Sequence, residues 1–345
     1  MKRARRQGNP MQQETQSSQQ TQTRGEWNHH PELPISTAPY FDWPSRPLRI
    51  AKWLARLWLP VTERGLVLAL SILTWLYLTP SLERARVFAL DWVAEIFVRN
   101  MALMIIVAGG LHLYLYTFRG QGKALKYDHR DLADNNRTFT FNSQVRDNMF
   151  WSLGSCVPVW TAYEALLLWG FANGYGFLTE WSDNPVWFAA LFLLSPFWVA
   201  FSFYWIHRLL HWPPLYRLAH AVHHRNSNVG PWSGCSMHPV EHVLWLSSVM
   251  VHLIIASHPV HVIFYQQIQI LTAITSHSGY EGLLIGEKNR LYMGEFFHQL
   301  HHRYHECNYG SSETPWDELF GTFHNGSPEA TKAMRERRRM MHARS

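Results

Sequence analysis

Three histidine clusters constrain the fold of this chain more than any other feature: His207-x-x-x-His211, His220-x-x-His223-His224 and His298-x-x-His301-His302. Spacings of three and four residues bring side chains onto one face of an α-helix. A lone histidine is more often a core or surface residue, but three clusters with matched spacing argue for ligands. Eight convergent imidazoles exceed what one metal ion can use. The chain is therefore expected to fold three distant segments back onto a two-metal centre. In the third cluster His305 extends the pattern to i, i+3, i+4, i+7, a continuous stripe flanked by Phe296, Phe297 and Leu300.

The remaining residues say where such a centre sits. The 345 residues include 17 Trp, 19 Phe and 14 Tyr, and only 16% are charged. This is the balance of a membrane protein with polar ends, although the mean hydropathy of −0.19 alone would not show it. The net charge of +6 is spread over ends and loops, which suits membrane orientation and not nucleic-acid binding. Cys156, Cys235 and Cys307 are too far apart for a CxxC site or a disulfide framework. The start, Met1-Lys-Arg-Ala-Arg-Arg, leads into a Gln/Ser/Thr tract and not an apolar run, so no signal peptide is expected.

Residues 1–45 are polar and rich in Gln, Ser, Thr and Pro. They are expected to form a disordered tail in which His29-His30 is incidental and the basic start touches anionic lipid. Residues 46–190 read as a transmembrane region. Gly65–Leu82, Met101–Phe118 and Asn184–His207 carry no Asp, Glu, Lys or Arg, and Met149–Leu178 carries only Glu164. Each approaches the ~18–20 residues of a spanning helix. The connections hold ten Lys/Arg before Gly65, three in 83–100, six in 119–148 and none in 179–183. That alternation puts the N-terminus, the 119–148 loop and the segment after His207 on the cytoplasmic side.

The stretch Val243–Tyr280 has no formally charged side chain over 38 residues. A single crossing there would put the third cluster on the wrong side of the membrane, so a re-entrant or interfacial helical hairpin is expected. The fold class that results is all-α and integral to the membrane. It has about four transmembrane helices, a cytoplasmic helical cap carrying the clusters, and this hairpin. Glu164 is a functional suspect as an intramembrane acid, and His112 is expected to pack between helices.

All-imidazole sites suit Fe, Cu, Zn or Ni. The clusters do not supply the Glu-x-x-His pairs of soluble di-iron bundles, and no HExxH, phosphate loop or dinucleotide GxGxxG occurs. Supporting words surround the clusters: Ser236-Met-His238-Pro239-Val-Glu241-His242, His277-Ser278-Gly279-Tyr280, Asn308-Tyr309-Gly310, Trp316-Asp317 and Phe320-Gly321-Thr322. Over roughly Leu191 to Thr322 the chain resembles the fatty acid hydroxylase/sterol desaturase superfamily of membrane histidine-box di-iron oxygenases.

The resemblance implies a catalytic domain over 191–325, followed by a basic tail over 326–345. It implies two Fe ions, with zinc able to take their place in purified material, held by His207, His211, His220, His223, His224, His298, His301 and His302. Relatives recruit further histidines between the boxes; His277 is the first candidate, His238 and His242 follow, and His305 extends the third box. Glu241, Glu281, Asn308 and Asp317 are candidates for orienting the ligands. The implied reaction hydroxylates a lipid, fatty acyl or sterol-like, with dioxygen and electrons from a separate donor, a small haem carrier or a ferredoxin with its reductase. A sterol desaturase or sterol methyl oxidase is the alternative. A bis-histidine haem electron carrier or a metal transporter would be a different class. A bacterial inner membrane and an endoplasmic reticulum both fit.

Overall fold

The computed structural model describes residues 27–59, 61–286 and 289–342. The expected touch of the basic start on lipid falls on residues 1–26, outside the described residues. Eleven helices are named here: α1 (Pro47–Trp58), α2 (Glu63–Leu78), α3 (Leu90–Thr117), α4 (144–172), α5 (Pro185–Leu210), α6 (213–224), α7 (Pro239–Leu246), α8 (Pro259–Ser276), α9 (Phe296–Tyr304), α10 (Trp316–Leu319) and α11 (Pro328–His342). A short antiparallel ribbon, β1 (Gly282–Ile285) and β2 (Asn289–Tyr292), joins α8 to α9.

Local chemistry sets the starts. The Thr62 side chain accepts from the Gly65 N–H at α2, and Asn184 accepts from Trp187 N–H with Pro185 in the first turn of α5. Histidines do the same work at two later starts, where His238 and His258 each accept from an N–H two residues on, ahead of Pro239 and Pro259. Wide π-turns interrupt α3, α4 and α6, the last over Tyr216–His220.

Among the described residues, α3 and α5 are long and apolar enough to cross a membrane, and the α1–α2 pair, bent by 49°, is a third if it is one span. Large apolar side chains of α2, α3 and α5 face outward, among them Leu73, Leu76, Ile106 and Leu193, as lipid contact requires. The expected third span, α4, instead buries Trp160, Ala165, Leu167 and Leu168 inside the protein. Glu164 is buried there with an ion pair to Arg99 of α3, whose guanidinium also donates to Asn100. That places the acid in a helix–helix latch and in neither histidine group. His112 stacks on Tyr116 one turn away.

The uncharged stretch forms a helical hairpin. α7 continues as a 3-10 segment over Ser247–Leu253, turns, and returns as α8. Gln269 donates to Trp245 O and Tyr265 to the Ser248 hydroxyl, so the arms run antiparallel. The turn meets the start of α5, where Trp187 donates to Ala256 O. α8 is buried from Pro259 to Leu271, and its glutamines find partners in the protein, as Gln267 does on Ser71 and Thr74 of α2. A charge-free sequence here reflects burial in protein more than contact with lipid.

The described part of the polar tail is not disordered. Asn28 N–H donates to Tyr127 O, Ile35 N–H to Asn325 O and Ala38 N–H to Ser312 O. Trp27 lies edge-on to Phe296, with the Arg303 guanidinium 3.3 Å from its ring centre. His29 is not incidental, because its Nε2 sits 2.5 Å from Glu281 Oε2. Aromatic and β-branched residues inside the polar tract supply the apolar contacts that the overall composition hid.

Candidate metal centre

The site forms where the end of α5, all of α6, the end of α8 and α9 converge. Two cages result. Cage A gathers His207, His211, His220, His224 and His301; cage B gathers His223, His277, His298 and His302, and within each cage the ligand atoms lie within 4.8 Å of one another. All nine histidines read as ligands are thus brought together, and all but His211 are buried.

Helix phase explains the sorting. Successive residues of a helix are rotated by about 100°, so i and i+4 nearly coincide while i+3 leans the other way. His220 and His224 accordingly share cage A while His223 turns to cage B, and His298 and His302 share cage B while His301 turns to cage A. Each HxxHH box therefore divides between both cages, with opposite assignments.

The donor set fits cations. His207 Nδ1 donates to Tyr309 O at 2.6 Å, His301 Nδ1 to Cys307 O at 2.7 Å and His277 Nδ1 to Ala273 O at 2.7 Å. His220 Nδ1 lies 2.6 Å from Glu241 Oε1. With the proton on Nδ1, each Nε2 presents a bare lone pair. Yet these Nε2 atoms face one another: His207 to His220 at 3.0 Å, and His277 to His302 and His298 at 2.9 and 3.2 Å. Inward-aimed lone pairs at that separation repel unless a cation lies between them.

Burial works in the same direction. It pushes the His277 imidazole down to about 4, and those of His298, His301 and His302 well below their usual value, with neighbouring histidines adding to the shift. The rings are therefore neutral at pH 7, the form that binds metal. Burial pushes the Glu241 carboxyl up, and its position beside His220 keeps a proton between the two groups.

The other candidates divide. Glu241 reaches cage A through His220. Asp317 acts one step further back: it accepts from the Tyr309 and Gly310 N–H groups at 2.9 and 2.8 Å, fixing the carbonyl that orients His207. Asn308 donates to Phe297 O and His324 O and accepts from His324 N–H. Its amide is committed to bracing backbone and is not offered as a ligand. Glu281 meets His29, away from both cages. His238 caps α7, and His242 Nδ1 pairs with the Ser155 hydroxyl at 2.8 Å; neither enters a cage. The expected stripe breaks at His305, where α9 has ended and φ is 67°. The ring lies beside His224 at 4.5 Å without joining either cage. The residues that sequence reasoning missed are Tyr309, Cys307 and Ala273, which contribute only carbonyl oxygens and so carry no side-chain signal.

The fatty acid hydroxylase family matches residues 191–322. A delta(7)-sterol 5(6)-desaturase of Aspergillus fumigatus is 29% identical over 66% of this chain and 67% of its own length. A methylsterol monooxygenase of the same fungus is 34% identical over 39% of this chain and 46% of its own. A delta(7)-sterol 5(6)-desaturase of Saccharomyces cerevisiae is 32% identical over 35% of this chain and 32% of its own. The chain thus spans two thirds of the first relative and less than half of the other two. No solved structure matches it.

Proposed function

This chain belongs to the fatty acid hydroxylase/sterol desaturase superfamily, and from that premise we propose that it is a multi-pass membrane oxygenase that hydroxylates an unactivated C–H bond of a lipid. The observation that carries the reading is the pair of imidazole cages, with Nδ1 protons turned outward and bare Nε2 atoms turned inward. Cage A and cage B would each hold one iron ion. Bound there, the pair supplies the oxidising power for dioxygen chemistry, with electrons from a separate haem or iron–sulfur carrier.

The protein's own part is placement. Tyr309 O, Cys307 O, Ala273 O and Glu241 hold the tautomers. Phe203 covers the cages from the α5 side, its ring centre 4.8 Å from that of His207 and 5.9 Å from that of His298. Such cover excludes water and leaves an apolar approach for a lipid carbon. Four crossings, by α2 through α5, suit the contacts at each end. Glu63 at the start of α2 meets Thr275, and Gln144 at the start of α4 meets Asn226, both on the cage side. Thr179, beyond α4, bonds Ser257 at the opposite end. The cages, the N-terminus and the 119–148 loop then share the cytoplasmic side.

A second reading, sterol desaturation or sterol methyl oxidation, is favoured by the sterol-acting relatives. Lipid mass spectrometry of cells with and without the gene tests both. Species heavier by about 16 mass units indicate oxygen insertion, and species lighter by about 2 indicate removal of two hydrogens. No change in any lipid, with intact protein in the membrane, overturns the proposal.

A further inference from the structure

Towards the end of the bundle remote from the cages, α2, the first turns of α5 and the start of α8 border an open groove of about 580 Å³. Trp58, Trp75, Trp181, Phe188 and Phe192 line it, with Ala189 the one small residue among them. A volume of this order suits a small apolar ligand. His258 is the one titratable side chain among the described lining residues.

The His258 ring is held in one state. Its Nδ1 accepts the Val260 N–H at 3.2 Å, so the proton is on Nε2. Trp75 meets the ring edge-on at 4.7 Å and Phe188 lies 5.5 Å away. Nε2 faces Glu180 Oε2 across 3.7 Å. That distance is too long for a hydrogen bond, yet it admits an oxygen atom about 2.8 Å from each. An oxygen there must accept from an imidazole N–H and donate to a carboxylate. A hydroxyl does both.

We propose that this groove binds an uncharged lipid alcohol with a rigid ring body, of the sterol class, its hydroxyl seated between His258 Nε2–H and the Glu180 carboxylate. The carboxylate repels phosphate and fatty-acid headgroups. Flat aromatic walls reward a rigid ring system, which loses no rotamer freedom on binding, whereas a flexible chain does. Burial holds the His258 imidazole down to about 4 and so neutral at pH 7, which removes any cationic attraction for anionic lipid. The polar pair is level with Trp181, next to the first turn of α5, where a membrane interface would place a lipid hydroxyl. The site is distinct from the reaction centre. α8 begins beside His258 and ends at His277, and its 18 residues span about 27 Å.

The inference does not depend on the oxygenase reading, because binding is measured without turnover. The full chain in phosphatidylcholine nanodiscs is irradiated with a photoactivatable sterol, and the labelled peptides are mapped by mass spectrometry. Labelling is expected in 181–193, to saturate, and to be competed by unlabelled sterol. The sterol's 3-O-methyl ether should compete about fivefold less well, the effect of losing one donated hydrogen bond. Ala189→Trp should abolish labelling by filling the groove. Glu180→Ala, on an exposed loop, should weaken it about fivefold, which keeps the test valid if the tryptophan variant misfolds. Equal competition by the ether, labelling unchanged in Glu180→Ala, or displacement by a long-chain fatty acid as readily as by sterol overturns the proposal.

Discussion

Cage A and cage B use the same ligand and are braced differently. Cage A has five imidazoles, one partly exposed at His211, and draws on a carboxylate, Glu241, as well as on two carbonyls. Cage B has four, all buried, and is braced at His277 by Ala273 O, with the Ser276 hydroxyl 3.1 Å from the same nitrogen. A backbone brace cannot be deleted by mutation and moves only with its helix. A side-chain brace can be removed singly. Cage A should therefore answer to point substitution of its surroundings, and cage B to shifts of α8.

The largest effect comes from the ligands, which treat the cages alike. His220→Ala or His301→Ala should remove lipid oxidation, by more than about 100-fold, while the protein still inserts. Elemental analysis should show about one metal ion fewer per chain in each variant. Retained turnover in both would sink their assignment. Glu241→Gln breaks the symmetry. It should cut turnover by roughly 10- to 100-fold through cage A, and metal occupancy should fall there with no change at cage B, as read by the metal's spectroscopic signal.

Acid should act on cage B and on the folded state beneath it. His242 is pushed down to about 3 and His277 to about 4 by burial, against an unfolded value near 6.5. Above pH 6.5 neither state carries these protons. Below it the unfolded chain binds them and the native chain does not, so stability falls as pH drops towards 4. Each imidazole then costs about 1.4 kcal/mol per pH unit. Thermal melting of metal-free protein should show its midpoint declining from pH 6.5 downwards; a flat profile would contradict the buried, neutral state. For cage B alone, Gly234 is the lever. A Cβ on Gly234 would sit 2.1 Å from Ala273 O, the carbonyl that orients His277. Gly234→Ala should strain the contact by about 1–3 kcal/mol, and reduce cage B occupancy before cage A.

The histidine spacing made the ligands legible, because period-3.6 geometry acts on sequence directly. The same spacing foretold neither the division of each HxxHH box nor the end of α9 at Tyr304, since a one-residue change of phase matters only once helices face each other. His238, a ligand candidate by sequence, instead starts a helix ahead of Pro239. The carbonyl braces were not legible, because every residue carries one. Residues 27–45 were misread because their composition is polar on average, while Trp27, Ile35 and Tyr40 make the contacts. Glu164 was legible as unusual, but its partner Arg99 lies on a different helix, and nothing local joins them.

Glu241 and Glu281 looked equivalent in the sequence, each an acid a few residues from a candidate histidine ligand, and the structure separates them. Both meet an imidazole nitrogen, at 2.6 and 2.5 Å. The His220–Glu241 side chains are 1% and 2% exposed, whereas those of His29–Glu281 are 27% and 13% exposed. Water competes for the second pair and screens it, which limits its worth to about 0–1 kcal/mol. Glu281→Gln should therefore leave turnover within about twofold of the parent, lowering the melting temperature slightly by loosening residues 27–45. If it instead matched Glu241→Gln, contact with residues 27–45 would be part of the metal centre's support, and the contrast between buried and partly exposed carboxylates would fail.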